Sequence, residues 1–351
     1  MTEKWQRALL GAMRLPAIGK FGLDKQGLDR LAKTTPAIQK LLAEVLPRQS
    51  PGAWPGAGAP AAKARAEAPV DGQFLAMTYR DGLGEHGYKL FVPDALPPAP
   101  PLLLMLHGCT QSPDDFAAGT RMNERAAAQG FLVAYPEQTS AANAQRCWNW
   151  FRAGDQRRDA GEPAMLVGIA RAVMGAQQVD PKRVYAAGLS AGGAAAAVLA
   201  EAYPDLFAAV GVHSGLACGA AHDVASAFMA MRQGHLGTAG DPTRPCVPAI
   251  VFHGDRDATV NPANADAVIA QRTGAGTLRA ELDRGSVPGG RGWTRTRYRD
   301  ARQKTVLERW VVHGEGHAWS GGSADGSYTD PGGPDASGEM LRFFLEHPKA
   351  T

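Results

Sequence analysis

From residue 102 onward, short apolar runs alternate with helix-forming stretches, and that alternation restricts the fold more than any other feature of the chain. The runs at 102–106, 131–135, 183–187, 208–212, 249–252 and 306–312 are too short for buried helices. They are also too continuously apolar for strands with one wet face, which places both faces under cover. Residues 115–129, 162–178, 192–202 and 263–272 between them read as helices, and 337–346 as a closing one. Strand and helix in alternation predict an α/β architecture, a mostly parallel sheet flanked on both sides by helices. Ahead of it, 74–79 and 88–92 read as a hairpin joined through Asp81-Gly82-Leu83-Gly84.

The 351 residues, 44% of them hydrophobic, can fill the core of such a sheet. A formal charge of +3 over this length gives no reason to expect a nucleic-acid or membrane-surface partner. No window approaches the roughly 18 consecutive apolar residues of a membrane-spanning helix. The apolar stretch at 8–13 is too short for a secretory signal. Residues 1–49 read as a small helical N-terminal extension, 50–69 as a Pro, Gly and Ala-rich linker, and 70–351 as the catalytic domain. Up to Arg48 the extension holds nine Lys and Arg against four Asp and Glu, so it is either a solvated helical face or a dock for a partner or an apolar particle.

The chemistry starts at Gly188-Leu189-Ser190-Ala191-Gly192, which follows one strand directly and opens an Ala-rich helix. A sharp strand-to-helix turn projects the Ser190 hydroxyl, and the flanking glycines remove the side-chain clashes that would forbid the turn. A serine hydroxyl needs a base, and in this architecture an acid and then a histidine follow it in the chain. Asp257, in a turn after the strand at 249–252, is the expected acid, with Asp255 as the alternative. His317, in the Gly-flanked loop after 306–312, is the expected base. His313, His253 and His213 read as structural. The oxyanion donors are expected from the N–H of Ala191 and that of Cys109, in the loop Leu106-His107-Gly108-Cys109-Thr110.

With His107-Gly108-Cys109-Thr110-Gln111, Cys147-Trp148-Asn149-Trp150-Phe151, the Ser190 elbow and Gly316-His317-Ala318-Trp319 in this order, residues 72–347 resemble the poly(3-hydroxybutyrate) depolymerase family of esterases, whose relatives include feruloyl and acetylxylan esterases. The resemblance implies the α/β-hydrolase fold and cofactor-free ester hydrolysis through an acyl-enzyme, with a triad on Ser190, Asp257 and His317. It implies an ester or polyester substrate and a disulfide between Cys109 and Cys147. A second bridge between Cys218 and Cys246 stays open, as does a lid at 219–245 between them. Trp148, Trp150 and Trp319 are candidates to line an acyl-chain crevice, the alternative being simple packing. The Gly, Ser and Asp-rich tract 321–335 reads as a surface loop in preference to a calcium loop, and no metal site is expected. Secreted depolymerases carry a signal and a polymer-binding module that are not visible here. The compartment is therefore open, the missing signal pointing to the cytoplasm and a cystine to an oxidising space. A second class of reading has a particle-associated binding protein with a vestigial hydrolase domain.

Overall fold

A computed structural model of the chain describes residues 70–82, 84–234, 246–273 and 278–350. The expected helical extension at 1–49 and linker at 50–69 lie outside them, and with them the docking role considered for the extension.

The hairpin is formed by β1 (Gly72–Asp81) and β2 (Gly84–Pro93), paired antiparallel. Next come β3 (Leu102–Leu106), β4 (Leu132–Pro136), β5 (Val184–Leu189), β6 (Ala209–His213) and β7 (Ala249–Gly254). After them follow β8 (Arg279–Ser286), β9 (Gly292–Arg299) and β10 (Thr305–Val312). They make one ten-stranded sheet in the order β1-β2-β4-β3-β5-β6-β7-β10-β9-β8. The strands β4, β3, β5, β6, β7 and β10 are mutually parallel, and an antiparallel ribbon extends each edge.

Side chains of the parallel strands alternate between two cores. Leu102, Leu104 and Leu106 join Val210, Val212 and Val251 on one face, while Leu103 and Met105 join Tyr185 and Phe252 on the other. The first face is covered by α3 (Gly161–Gln177), α4 (Ala191–Ala202) and α6 (Ala263–Arg272), through residues such as Ile169, Leu199 and Val268. The second is covered by α1 (Pro113–Thr120), α2 (Met122–Gln129) and α7 (Ala336–Leu345), through Phe116, Met122 and Phe343. Nearly every position of α4 is buried, because its run of Gly and Ala lets the helix lie close against the strands.

Three expectations change. The helix expected at 115–129 is two helices, broken where Arg121 adopts φ 53°, and the first begins earlier because the Ser112 hydroxyl caps it from Pro113 onward. The strands β8 and β9 had no counterpart in the apolar pattern. They are held by cross-strand ion pairs, Arg295 with Asp283 at 2.7 Å and Arg299 with Glu281 at 2.9 Å, and both faces stay partly wet. Within 219–245, residues Val224–Gln233 form α5, capped by reciprocal bonds between Asp223 and Ser226. This helix is tied to the start of α6, where Asn261 N–H donates to Met231 O at 2.7 Å and Asn264 Nδ2 to Ala230 O at 2.9 Å. Residues 235–245 lie outside the described ones.

Every segment singled out for chemistry follows the carboxyl end of a parallel strand: 107–111 after β3, Ser190 after β5, 255–257 after β7 and 313–317 after β10. In an open parallel sheet this is the edge where strand direction and helix N-termini favour a site.

Candidate active site

Ser190 stands between β5 and α4 at φ 58°, ψ −119°. A backbone this strained for a non-glycine residue persists only where its surroundings hold it. The Ser190 N–H donates to His213 O on the neighbouring strand at 2.9 Å. The crossing needs both glycines: a Cβ on Gly192 would lie 1.9 Å from Leu106 O, and one on Gly188 would lie 2.4 Å from the Gly192 carbonyl carbon. Ser190 is 8% exposed.

The loop after β3 lies directly against the elbow, a Cβ on Gly108 falling 3.7 Å from Ser190 Cβ. Gly108 N–H donates to Gln111 Oε1 at 2.8 Å and Thr110 N–H to Gln145 O at 2.7 Å. Between these two, Cys109 N–H donates to no protein acceptor among the described residues, and neither does Ala191 N–H. Two unspent donors beside a serine at the start of a helix are what an anionic oxygen requires. The loop is braced by a disulfide between Cys109 and Cys147 and by Trp148 Nε1, which donates to His107 O at 3.1 Å. His107 is a buried support. Its Nε2 accepts from Gln138 N–H at 3.1 Å, its Nδ1 bonds Gly108 O at 2.8 Å, and burial pushes its pKa down to about 4. Behind the disulfide, Asn149 donates to Glu162 through both N–H and Nδ2, at 2.7 and 2.6 Å. Burial, aided by the charge of Asp155 and opposed by these bonds, pushes Glu162 up to about 7.

The two acids after β7 separate cleanly. Asp255 turns to the surface, where it accepts from His313 Nδ1 at 2.9 Å and from Gly314 N–H at 2.7 Å. Asp257 turns inward. Its Oδ1 accepts from Thr259 and Val260 N–H, both at 2.8 Å, and its Oδ2 from His317 Nδ1 at 2.7 Å. Burial opposes ionisation of Asp257, but the hydrogen bonds from His253 and His317 outweigh it and hold the carboxyl below its usual range. With Nδ1 engaged by Asp257, the Nε2 of His317 has no hydrogen-bond partner among the described residues. His253 Nε2 lies 2.9 Å from Val260 O and 3.3 Å from Asp257, which orients the carboxylate from behind.

His213 joins the two halves. Its carbonyl holds the Ser190 N–H, its Nε2 accepts from Ser320 N–H at 3.0 Å, and its ring stacks between Phe252 and Trp319. Burial, reinforced by the neighbouring His253 and His317, pushes its pKa well down.

The tryptophans are placed differently from the expected crevice wall. Trp148 and Trp319 are 0% and 1% exposed, and Trp150 is buried beside Phe151. Trp319 packs on Phe116 and donates from Nε1 to Ser337 at 3.1 Å. All three are packed behind the loops, and Trp148 and Trp319 also spend their N–H on protein acceptors. Cys218 and Cys246 are not bridged; the Cys246 thiol donates to Arg272 O at 2.8 Å.

Sequence reasoning missed Tyr328 and Glu315. Tyr328 lies in the tract 321–335, whose acids have protein partners: Asp325 bonds Ser323, Asp330 pairs with Arg291, and Asp335 caps α7 and pairs with Arg125. Its ring meets that of His317 edge-on, centroids 6.4 Å apart, and it is 36% exposed. Glu315, two residues before His317, is fully buried on Ser320. An acidic residue in a Gly-rich loop carries no sequence signal of burial.

The profile of the family described as Esterase PHB depolymerase matches residues 86–281, more than half of the chain. Among curated relatives, a poly(3-hydroxyalkanoate) depolymerase C of Paucimonas lemoignei is 32% identical over 73% of this chain, which spans 62% of that protein's length. A feruloyl esterase B of Thermothelomyces thermophilus is 30% identical over 65% of this chain and 82% of its own. Among solved structures, an acetyl xylan esterase from Aspergillus awamori superposes with a TM-score of 0.60 at 17% identity, over 78% of this chain and 100% of that one, and shows the shared α/β-hydrolase fold.

Proposed function

Since the chain belongs to the esterase PHB depolymerase family, we propose that it is a serine esterase that cleaves carboxylic esters through an acyl-enzyme on Ser190. The observation that carries this reading is the 2.7 Å bond from His317 Nδ1 to Asp257, made on loops that follow β7 and β10 at the same end of the sheet as the Ser190 elbow. In the first half-reaction His317 Nε2 takes the Ser190 proton as Oγ attacks the carbonyl carbon, and then passes it to the departing alkoxide. Asp257 keeps the ring in the right tautomer and stabilises the imidazolium. The N–H groups of Cys109 and Ala191 receive the developing oxyanion, each such donor contributing about 3–4 kcal/mol in the transition state. In the second half-reaction water attacks in place of the alcohol, His317 takes its proton and returns it to Ser190 Oγ as the acyl–Oγ bond breaks and the acid is released. No step calls for a cofactor.

For the substrate we propose hydroxyalkanoate oligomers or polymer, supported by the depolymerase among the relatives. A feruloyl or acetylxylan ester is the second reading, favoured by the fuller overlap with the feruloyl esterase. Ser190→Ala should fold normally and lose p-nitrophenyl butyrate hydrolysis; retained turnover would end the proposal. Rates on hydroxybutyrate oligomers and on methyl ferulate, measured side by side, separate the two substrates.

A further inference from the structure

Tyr328 is a bulky residue held at φ 54°, a left-handed conformation that costs a non-glycine side chain about 1–2 kcal/mol. Several bonds enforce it. Tyr328 O accepts from Trp319 N–H at 2.7 Å, and the preceding Ser327 gives its N–H and its hydroxyl to Asp115 at 2.9 and 2.6 Å. Gln111, which also orients the oxyanion loop through Gly108, donates from Nε2 to Ser327 O at 3.1 Å. The same network thus fixes the oxyanion loop and Tyr328, yet the tyrosine ring stays partly open to solvent over His317. Its hydroxyl lies 3.4 Å from Thr110 Oγ1, and Thr110, at φ 69°, is a second left-handed non-glycine residue at this mouth. A contact of 3.4 Å is long for O–H···O, so the phenol proton is available to a ligand.

Resting on the esterase reading above, we infer that Tyr328 is a specificity-determining residue that binds the alcohol portion of the ester, its hydroxyl donating to the carbonyl of the next unit in an oligomeric hydroxyacid ester. The geometry gives the direction. The leaving oxygen must come within reach of His317 Nε2 to be protonated, so whatever that oxygen carries extends past the exposed side of His317, where Tyr328 stands. The acyl oxygen, by contrast, is engaged at Cys109 and Ala191. Ring and phenol together offer an apolar wall with one donor at its end, which suits an aliphatic chain punctuated by carbonyls.

The test uses two esters that yield the same acyl-enzyme: p-nitrophenyl 3-hydroxybutyrate and the linear dimer of 3-hydroxybutyrate. Tyr328→Phe removes the donor and keeps the ring. It should lower kcat/KM for the dimer about 10- to 100-fold, mainly through KM, the scale of one lost hydrogen bond to a charged acceptor, the terminal carboxylate that stands in the dimer where a longer oligomer has its next carbonyl. The p-nitrophenyl ester should stay within about twofold, since its alcohol offers no such carbonyl. An equal loss on both esters would mark a structural role and overturn the inference, as would no loss on either. A wild-type enzyme that cleaves the p-nitrophenyl ester but not the dimer overturns it too, and leaves the role of Ser190 intact. Inactivity on both esters sinks the esterase reading itself.

Discussion

Glu315→Gln should make the protein more stable in alkaline solution and leave it nearly unchanged in acid. The side chain of Glu315 is fully buried, and burial, with the charges of Asp330 and Asp257 added and the Ser320 bond and Arg291 opposing, pushes its pKa from the ordinary 4.5 up to about 8. The contacts fit a protonated carboxyl. Ser320 Oγ lies 2.5 and 2.7 Å from the two carboxyl oxygens, and one hydroxyl proton can serve only one of them, so a second proton belongs on the acid. Below pH 4.5 the folded and unfolded chains both hold this proton and nothing is lost. Between 4.5 and 8 the unfolded chain releases it while the folded chain keeps it, so stability falls as pH rises, by about 1.4 kcal/mol per pH unit at most. Above 8 both forms are ionised and the loss levels off. Across the window this amounts to about 3–5 kcal/mol, a large share of the roughly 5–15 kcal/mol that holds a typical domain together.

Glutamine has nearly the same shape, accepts from Ser320 and does not titrate. Urea unfolding of wild type and variant at pH 5.5, 7.0 and 8.5 isolates the group, because every other titration, including that of Glu162, cancels in the difference. The variant should gain about 2–4 kcal/mol on wild type between the two extremes, seen as a shift in midpoint at constant slope. A difference that stays the same at all three pH values would refute the reasoning.

Asp257→Asn should lower kcat by about 10³- to 10⁴-fold, since the amide favours the wrong tautomer of His317, while Asp255→Asn should stay within about threefold; equal losses in p-nitrophenyl butyrate turnover would show that the acids are misassigned. Replacing Cys109 and Cys147 together by alanine should cost about 3 kcal/mol in unfolding free energy and lower kcat as the oxyanion loop loosens, and reductant should do the same to the wild type but nothing to the variant. Trp319→Phe should lose about 1–3 kcal/mol of stability, from the Ser337 bond and the missing ring volume, with KM unchanged; a raised KM at full stability would restore the indole as a substrate wall.

The parts legible in the sequence are those where one physical demand acts on consecutive residues. Strands buried on both faces must be apolar at every position, so 102–106 and 249–252 declared themselves, and the Ser190 elbow did so because its glycines have no substitute. The second acid was separable only by guesswork, since Asp255 and Asp257 differ in nothing but the direction in which the turn points them. The ribbon of β8 and β9 escaped notice because its strands, Arg-Ala-Glu-Leu-Asp-Arg-Gly-Ser and Gly-Trp-Thr-Arg-Thr-Arg-Tyr-Arg, are paired by charge across the ladder instead of by apolar alternation. The tryptophans stayed ambiguous for the opposite reason: an indole beside such a motif reads the same whether it faces a ligand or, as buried Trp319 does, the core.

What binds these pieces into a single site is a residue with no part in the chemistry. His213 has its carbonyl on the Ser190 N–H and its ring nitrogen on the N–H of Ser320, three residues beyond His317, so the elbow and the histidine loop are referred to one rigid ring. Leucine would fill the gap between Phe252 and Trp319 but could not accept from Ser320; asparagine could accept but would not stack. The Ser320 N–H can only donate, so it fixes the tautomer in which Nε2 accepts, and Nδ1–H then donates to Ser214 Oγ at 3.1 Å. The same burial that keeps this imidazole neutral also prevents a second cation from competing with His317 for Asp257. A histidine thus serves here through its shape and its two nitrogens, and burial keeps it neutral beside His253 and His317.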